Sequence, residues 1–362
     1  MSEQPISQDP RYRARPTIRV DDEAREPVTN RVTSFRIVER ERGLSSLELR
    51  LGALADTEPD AQDPLPFEDE RNLALGSRIT IYSGDEQRPR EIFRGVVSAL
   101  EAEFPGEGAP ELVVHAEDAL QCARLARRTK VYDDLKISTV ANELASALSL
   151  TPQINGFSEG LGAYVQLNES DLAFLRRVLD VHDGDVQVVG GELHVSQRVD
   201  VRRDTVELHV GRQLRRARFV ADLADQVTET TSSGWDVDNA ERVTGTSSGL
   251  NIAPGSGRTG ASILQDKLGA RSEHVGQPPV TTAGEAQALA DTAFDRRARR
   301  FVRVTGSAEG NARIRIGSHV TVRGASRRFD NTYYVVYACH RFDLDRGYET
   351  DFEGECAYLG NP

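Results

Sequence analysis

Three cysteines, Cys122, Cys339 and Cys356, with no CxxC pair among them, supply neither a disulfide framework nor a zinc knuckle. Cys339 and Cys356 fall in strand-like runs and are expected as buried free thiols. No apolar run approaches the roughly 20 residues of a membrane span. Met1 to Arg15 is polar, so no secretory signal and no membrane insertion by this chain are expected. A basic domain is missing too: the net charge is -12, which argues against a partner of duplex nucleic acid. The seven histidines form no HxxxH or HExxH, and GxSxG does not occur. A helix-borne metal site and a nucleophile elbow are therefore unsupported.

What is present is mostly short strand and turn. Thr17 to Val20, Val32 to Glu39 and Ser46 to Leu51 read as strands, the last alternating Leu47, Leu49 and Leu51 against Glu48 and Arg50. Residues 54 to 72 carry prolines and acids and read as a surface loop. Strands resume at Arg78 to Tyr82, Glu91 to Phe104 and Glu111 to Ala116, enough for a small barrel or sandwich. From Asp118 the period lengthens. Asp118, Ser138 and Ser170 are placed to cap three helices, the third with a stripe of Leu172, Leu175, Val178 and Leu179 and with Arg176 and Arg177 pointing away. A hairpin turning at Gly190-Gly191 follows.

Strands are expected again at Thr205 to Val210, Ala217 to Ala221 and Gln226 to Asp236. Residues 243 to 279, rich in Gly, Ser, Thr and Pro, read as a long excursion loop. Thr282 with Glu285 is a capping box for a helix reaching about Arg297. Arg313 to Ile316, Ser318 to Val322 and Tyr333 to His340 are the next strands, and Tyr333 to Cys339 is apolar on both sides of the pleat, so both faces should be covered. The acidic alternation from Tyr348 to Tyr358 is expected to close the sheet.

Two stretches suggest chemistry. Gly255-Ser256-Gly257-Arg258-Thr259-Gly260 is a literal GxGxxG, but no buried strand precedes it, and a dinucleotide turn needs one. His182-Asp183-Gly184-Asp185 could be a metal corner, yet reads more simply as a helix end followed by an Asp-Gly turn. An enzyme binding nucleotide at 255–260 or metal at 182–185 is the alternative reading of the chain. Arg212, Arg215, Arg216 and Arg218, and Arg296, Arg297, Arg299, Arg300 and Arg303, form basic clusters. They are expected as solvated faces, or as an interface for acidic protein such as residues 54–72.

Several motifs carry a family resemblance. They are Phe93-Arg94-Gly95-Val96-Val97, Gln166 with Asn168-Glu169-Ser170-Asp171 and Phe174-Leu175, Gly234-Trp235-Asp236, Gly310-Asn311, Gly317, Phe329-Asp330, Tyr333-Tyr334-Val335, His340-Arg341-Phe342 and Gly347 to Phe352. In this order and spacing the chain resembles the phage late-control protein D family, which holds the baseplate hubs of contractile tails and the hub part of the VgrG proteins of type VI secretion. Asn331 stands where that family's turn has Gly, and Asn is the next best residue for a positive φ.

The resemblance implies an α+β, mainly β fold: a tube-like β-barrel at 1–116, an α+β insert at 117–200, and a second tube-like β-barrel at 201–362 with a peripheral excursion at 237–300. It implies a structural role, as a homotrimeric ring adapting a six-fold inner tube to a three-fold spike. The implied partners are an inner tube protein, a spike on a separate polypeptide, and other baseplate proteins. No catalytic, cofactor-binding or metal-binding residue and no cofactor are expected. The protein would be made in the cytoplasm and built into a phage-tail-like particle.

Overall fold

The computed structural model describes residues 15–52, 65, 67, 70–83, 90–249 and 254–361. The polar start, most of the stretch read as an acidic loop at 54–72, and residues 84–89 lie outside the described residues. The fold is α+β and mainly β.

Thirteen strands join in one sheet. Apart from the short Glu23–Ala24, they divide into two sets. The first comprises Thr17–Val20, Val32–Arg40, Ser46–Gly52, Arg78–Ser83, Arg90–Glu103 and Glu111–Glu117. The second comprises Thr205–His209, Leu214–Ala221, Val302–Glu309, His319–Arg323, Thr332–Asp343 and Gly347–Cys356. Counted in chain order, each set is wired alike. The second strand pairs with the third, the third with the sixth, the sixth with the fifth, the fifth with the fourth, and the fourth with the first. The one difference is that the first and fourth strands are antiparallel in the first set and parallel in the second.

Two of the register shifts recur as well, while the shift between Ile81 and Tyr82 has no counterpart in the second set. The fifth strand bulges between Val97 and Ala99 in one set and between Val335 and Tyr337 in the other. The second strand shifts between Val32 and Ser34, and between Leu214 and Arg216. The sets are sewn together by Thr332–Asp343 against Val32–Arg40, from Tyr337 opposite Arg40 to Asp343 opposite Ser34. Strand pairing traces no closed barrel among the described residues.

Alternation explains the first core: Leu47, Leu49 and Leu51 are buried with Ile37, Ile79, Ile81 and Phe93. The second core gathers Val304, Val320, Val322, Tyr333, Val335 and Phe352. Thr332–Asp343 is mid-sheet, as its two-sided apolarity requires; Tyr333, Tyr334, Val335, Ala338 and Cys339 are buried, while Val336 and Tyr337 are half-buried. Cys356 is buried as well, and Cys122 is exposed.

Several expectations are corrected. Arg313 to Ile316 is turn, not strand: its alternation arises because Ile314 and Ile316 are buried while Arg313 and Arg315 reach out to Asp204 and Glu39. Gly347–Cys356 does not close the sheet, since it is flanked by Val302–Glu309 and Thr332–Asp343. Asn331 takes no positive φ; its side-chain amide instead bonds Ser256 and the Tyr358 carbonyl. Between the two sets, Ser170 caps Asp171–Val181 as expected. The helix Ile137–Ala147 starts ahead of Ser138, with Lys136 at its N-cap position. Arg176 is half-buried and does not face solvent. Arg127–Tyr132 is a strand paired with Tyr164–Ser170.

The described part of 243–279 is not one long loop. Glu241–Ser247 and Ser272–Val275 flank Glu229–Asp236 in a small sheet, and Ala283–Arg299 lies on it. Its small residues are what allow the packing: Thr230 and Ser232 hydroxyls donate to the Ala290 and Ala286 carbonyls, and a Cβ on Gly245 would stand 2.2 Å from the Ala286 oxygen. Composition that looks like a loop here serves a close helix–sheet approach.

Candidate functional site

The joint between the two sets is where polar side chains concentrate in the interior. Val32–Arg40 turns Ile37 and Glu39 inward, and Glu39 is 1% exposed. It accepts a 2.8 Å bond from Arg315 Nε and a 3.2 Å bond from the Ile316 amide. Burial alone would push this carboxyl up, but the Arg315 guanidinium holds it below the usual carboxylate range.

Arg198, in the short helical turn Arg198–Asp200 and 4% exposed, reaches both sets. Its guanidinium pairs with Glu41 of the first and, at 3.2 Å, with Glu355 of the second, and lies 3.8 Å over the Tyr334 ring. Arg203 pairs with Asp185, Arg299 holds Asp183 at 2.8 Å, and Arg296 holds Asp180 at 2.7 Å. The segment between the two sets is thus tied to the joint through Arg198 and to the helix Ala283–Arg299 through Asp180 and Asp183, by ion pairs that are partly withdrawn from water. Pairs of that kind are costly to break singly.

His340 is fully buried in the middle of the joint strand, its Nδ1 2.7 Å from the Tyr348 hydroxyl and 3.3 Å from Thr350. Burial pushes it down to about 4. Asp118 has the opposite perturbation: burial pushes it up to about 6, against bonds from the Ser45 and Leu120 amides. The signs follow from linkage. Unfolded chain protonates His340 near pH 6.5 and the fold refuses that proton until about pH 4, so this contribution to stability, about 3 kcal/mol in full, is lost as pH falls through that window. The folded Asp118 carboxyl keeps its proton up to about pH 6, so acidification toward pH 4 adds about 3 kcal/mol. The two nearly cancel. Asp118→Asn should therefore lose more Tm than the parent between pH 6.5 and 4.5, as thermal melts at each pH would show; parallel curves for the two proteins contradict the assignment.

The two stretches singled out for enzyme chemistry are engaged in packing. Gly257, at φ +126, has the Leu359 carbonyl 2.3 Å from where a Cβ would be. The Ser256 amide donates to Asn331 Oδ1, and Arg258–Thr259 pairs antiparallel with Tyr358–Leu359. A phosphate cradle needs such amides free and a strand running into the turn. At 182–185, Asp183 takes Arg299 and Asp185 takes Arg203. No group of three metal-ligating side chains occurs among the described residues.

The arginine clusters divide. Arg215, Arg296, Arg297, Arg299 and Arg300 pair with acids of the same chain. Arg218, Arg300 and Arg303 also line a groove of about 560 Å3 with Asp222, Asp225 and Glu353, beside the joint. The sequence reading missed the buried network. Its signal was Glu39, an acid in phase with Ile37 on the apolar side of its strand.

No curated protein matches this chain in sequence. Solved structures match it in fold. A 43 kDa tail protein of prophage MuSo2 from Shewanella oneidensis aligns with a TM-score of 0.68 at 13% identity, over 95% of this chain and 98% of that one. A tail protein from Neisseria meningitidis MC58 gives 0.66 at 12%, over 95% and 96%. An E. coli component of the type VI secretion system, described as structurally similar to the T4 bacteriophage tail proteins gp27 and gp5, gives 0.57 at 11%, over 95% and 79%. The chain has the fold of these tail proteins. The family model described as the Alg8 N-terminal domain matches residues 20–343, and the chain belongs to that family.

Proposed function

We propose that this protein is a baseplate hub of a contractile injection system or phage tail. Three copies form a ring in which the two strand sets of each chain, as tube-like barrels at 1–116 and 201–362, alternate around a channel. Six similar units from three chains can meet a six-fold inner tube on one side and a three-fold spike on the other. The observation that carries this is the repeated wiring of the two sets, with two shared register shifts; fold likeness to tail proteins supports it. The insert at 117–200 lies outside the ring. The partners are an inner tube protein, a separate spike protein and other baseplate proteins, and the chain is made in the cytoplasm before assembly. Electron microscopy of the assembled hub tests it: three chains per ring are expected, and a six-chain ring or a single copy per particle contradicts it.

The role is structural, with no catalytic, cofactor or metal residue. Calorimetry with ATP, NAD and divalent metals should detect no site tighter than about 10 µM. Binding stronger than that, lost in Gly257→Val or in Asp183→Asn, would restore the enzyme reading.

A further inference from the structure

The repeated wiring leaves an unfilled copy of the joint. Within the chain, the fifth strand of the second set pairs with the second strand of the first set. The complementary pair, the fifth strand of the first set and the second strand of the second set, is not made within the chain among the described residues. Among the described residues both edges are open. Beyond an isolated bridge from Leu214 to Val210, Leu214–Ala221 pairs on one side only, and the pairing of Arg90–Glu103 with Arg78–Ser83 ends at Val96, leaving 98–103 with an unpaired edge among the described residues.

The shared bulges fix what the missing joint would look like. Aligning the fifth strands at their shifts places Tyr337 on Ala99, Ala338 on Leu100 and Arg341 on Glu103. Aligning the second strands places Arg36 on Arg218, Glu39 on Ala221 and Arg40 on Asp222. The observed pairs are Tyr337 with Arg40, Ala338 with Glu39, and Arg341 with Arg36. Transferred, they become Ala99 with Asp222, Leu100 with Ala221, and Glu103 with Arg218.

We infer that residues 98–103 of one copy pair antiparallel with Leu214–Ala221 of the next copy of this chain, Leu100 opposite Ala221 and Glu103 opposite Arg218, repeating head to tail around the ring. The inference rests on the trimer proposed above and names its contact.

Exposure and charge both favour this occupant. Leu100 is 39% exposed where its in-chain counterpart Ala338 is 0%, and Ala102 is exposed where His340 is buried. An open strand edge with apolar residues is a liability that a neighbour removes. The first edge carries Glu101 and Glu103, the latter held by Arg50 at 2.7 Å, with Glu107 and Glu111 at the hairpin beyond. The second carries Arg216 and Arg218, with Arg212 just ahead. The in-chain joint sets Arg341 opposite Arg36, so it relies on other acids; the joint between copies sets an acid opposite a base, which favours a partner chain in this register.

The test uses the full chain with Cys122→Ser, to remove the exposed thiol, plus Leu100→Cys and Ala221→Cys. Under mild oxidation, denaturing gels should show a covalent trimer at least tenfold more abundant than from the register-shifted pair Leu100→Cys with Arg218→Cys. Native mass of the same samples separates the failures. A trimer that does not cross-link in register overturns this joint and leaves the trimer standing; a sample without trimer overturns both. A second variant, Arg218→Glu, changes one exposed side chain and should raise the dissociation constant of the trimer at least tenfold. Unchanged assembly of that variant overturns the charge pairing.

Discussion

Val335→Asp yields no soluble folded protein. Val335 is 0% exposed in the second core, opposite Gly354, with its amide donating to the Ser318 carbonyl. An unpaired carboxylate there must stay charged at a cost of several kcal/mol or take up a proton and lose the packing. Either outcome consumes most of a stability of about 5–15 kcal/mol. The neighbouring residue supplies the control. Val336 is half-buried and lines the groove with Arg300 and Arg303, so Val336→Asp should fold, with a loss of about 1 kcal/mol. Soluble yield and Tm of the two variants decide the matter; equal behaviour would mean that the strand is not covered as described.

Arg315→Met costs about 3–5 kcal/mol, because it strands the Glu39 carboxylate with only one backbone amide for company. Replacing both, Glu39→Leu with Arg315→Met, should recover most of that loss, since an apolar pair of similar volume carries no desolvation penalty. Denaturant unfolding of the two single variants and the double one forms the cycle. Losses that simply add, or a single-variant loss under about 1 kcal/mol, would show that the pair is not coupled and that the joint is held by packing alone.

Much of the fold was legible where alternation alone decides it. Leu47, Leu49 and Leu51 show their face in the sequence, and the two-sided apolarity of Tyr333 to Cys339 placed that strand mid-sheet. Reading failed where another force imitates or hides a period. Arg313 to Ile316 alternates because two ion pairs and two buried isoleucines take turns, not because it is a strand. The 243–279 stretch looked unstructured because Gly, Ser and Thr, which weaken strand propensity, are what a helix needs to approach a sheet closely.

The candidate site was less legible than the fold. Which strand meets which across the two sets is a long-range pairing, and no local period encodes it. Glu39, Arg198 and Arg315 become partners only once that pairing exists. The repeat itself is invisible as residue identity: Val97 and Val335 correspond, but Leu100 corresponds to Ala338 and Glu103 to Arg341. It persists in the order of pairing and in the bulges, which are properties of backbone rather than of composition.

The central claim is that three chains present six similar units. Native mass measurement of the assembled hub tests it most directly: the account predicts three times the 39.9 kDa chain, about 120 kDa. A hexamer near twice that value, or a monomer that persists in the assembled particle, would contradict it.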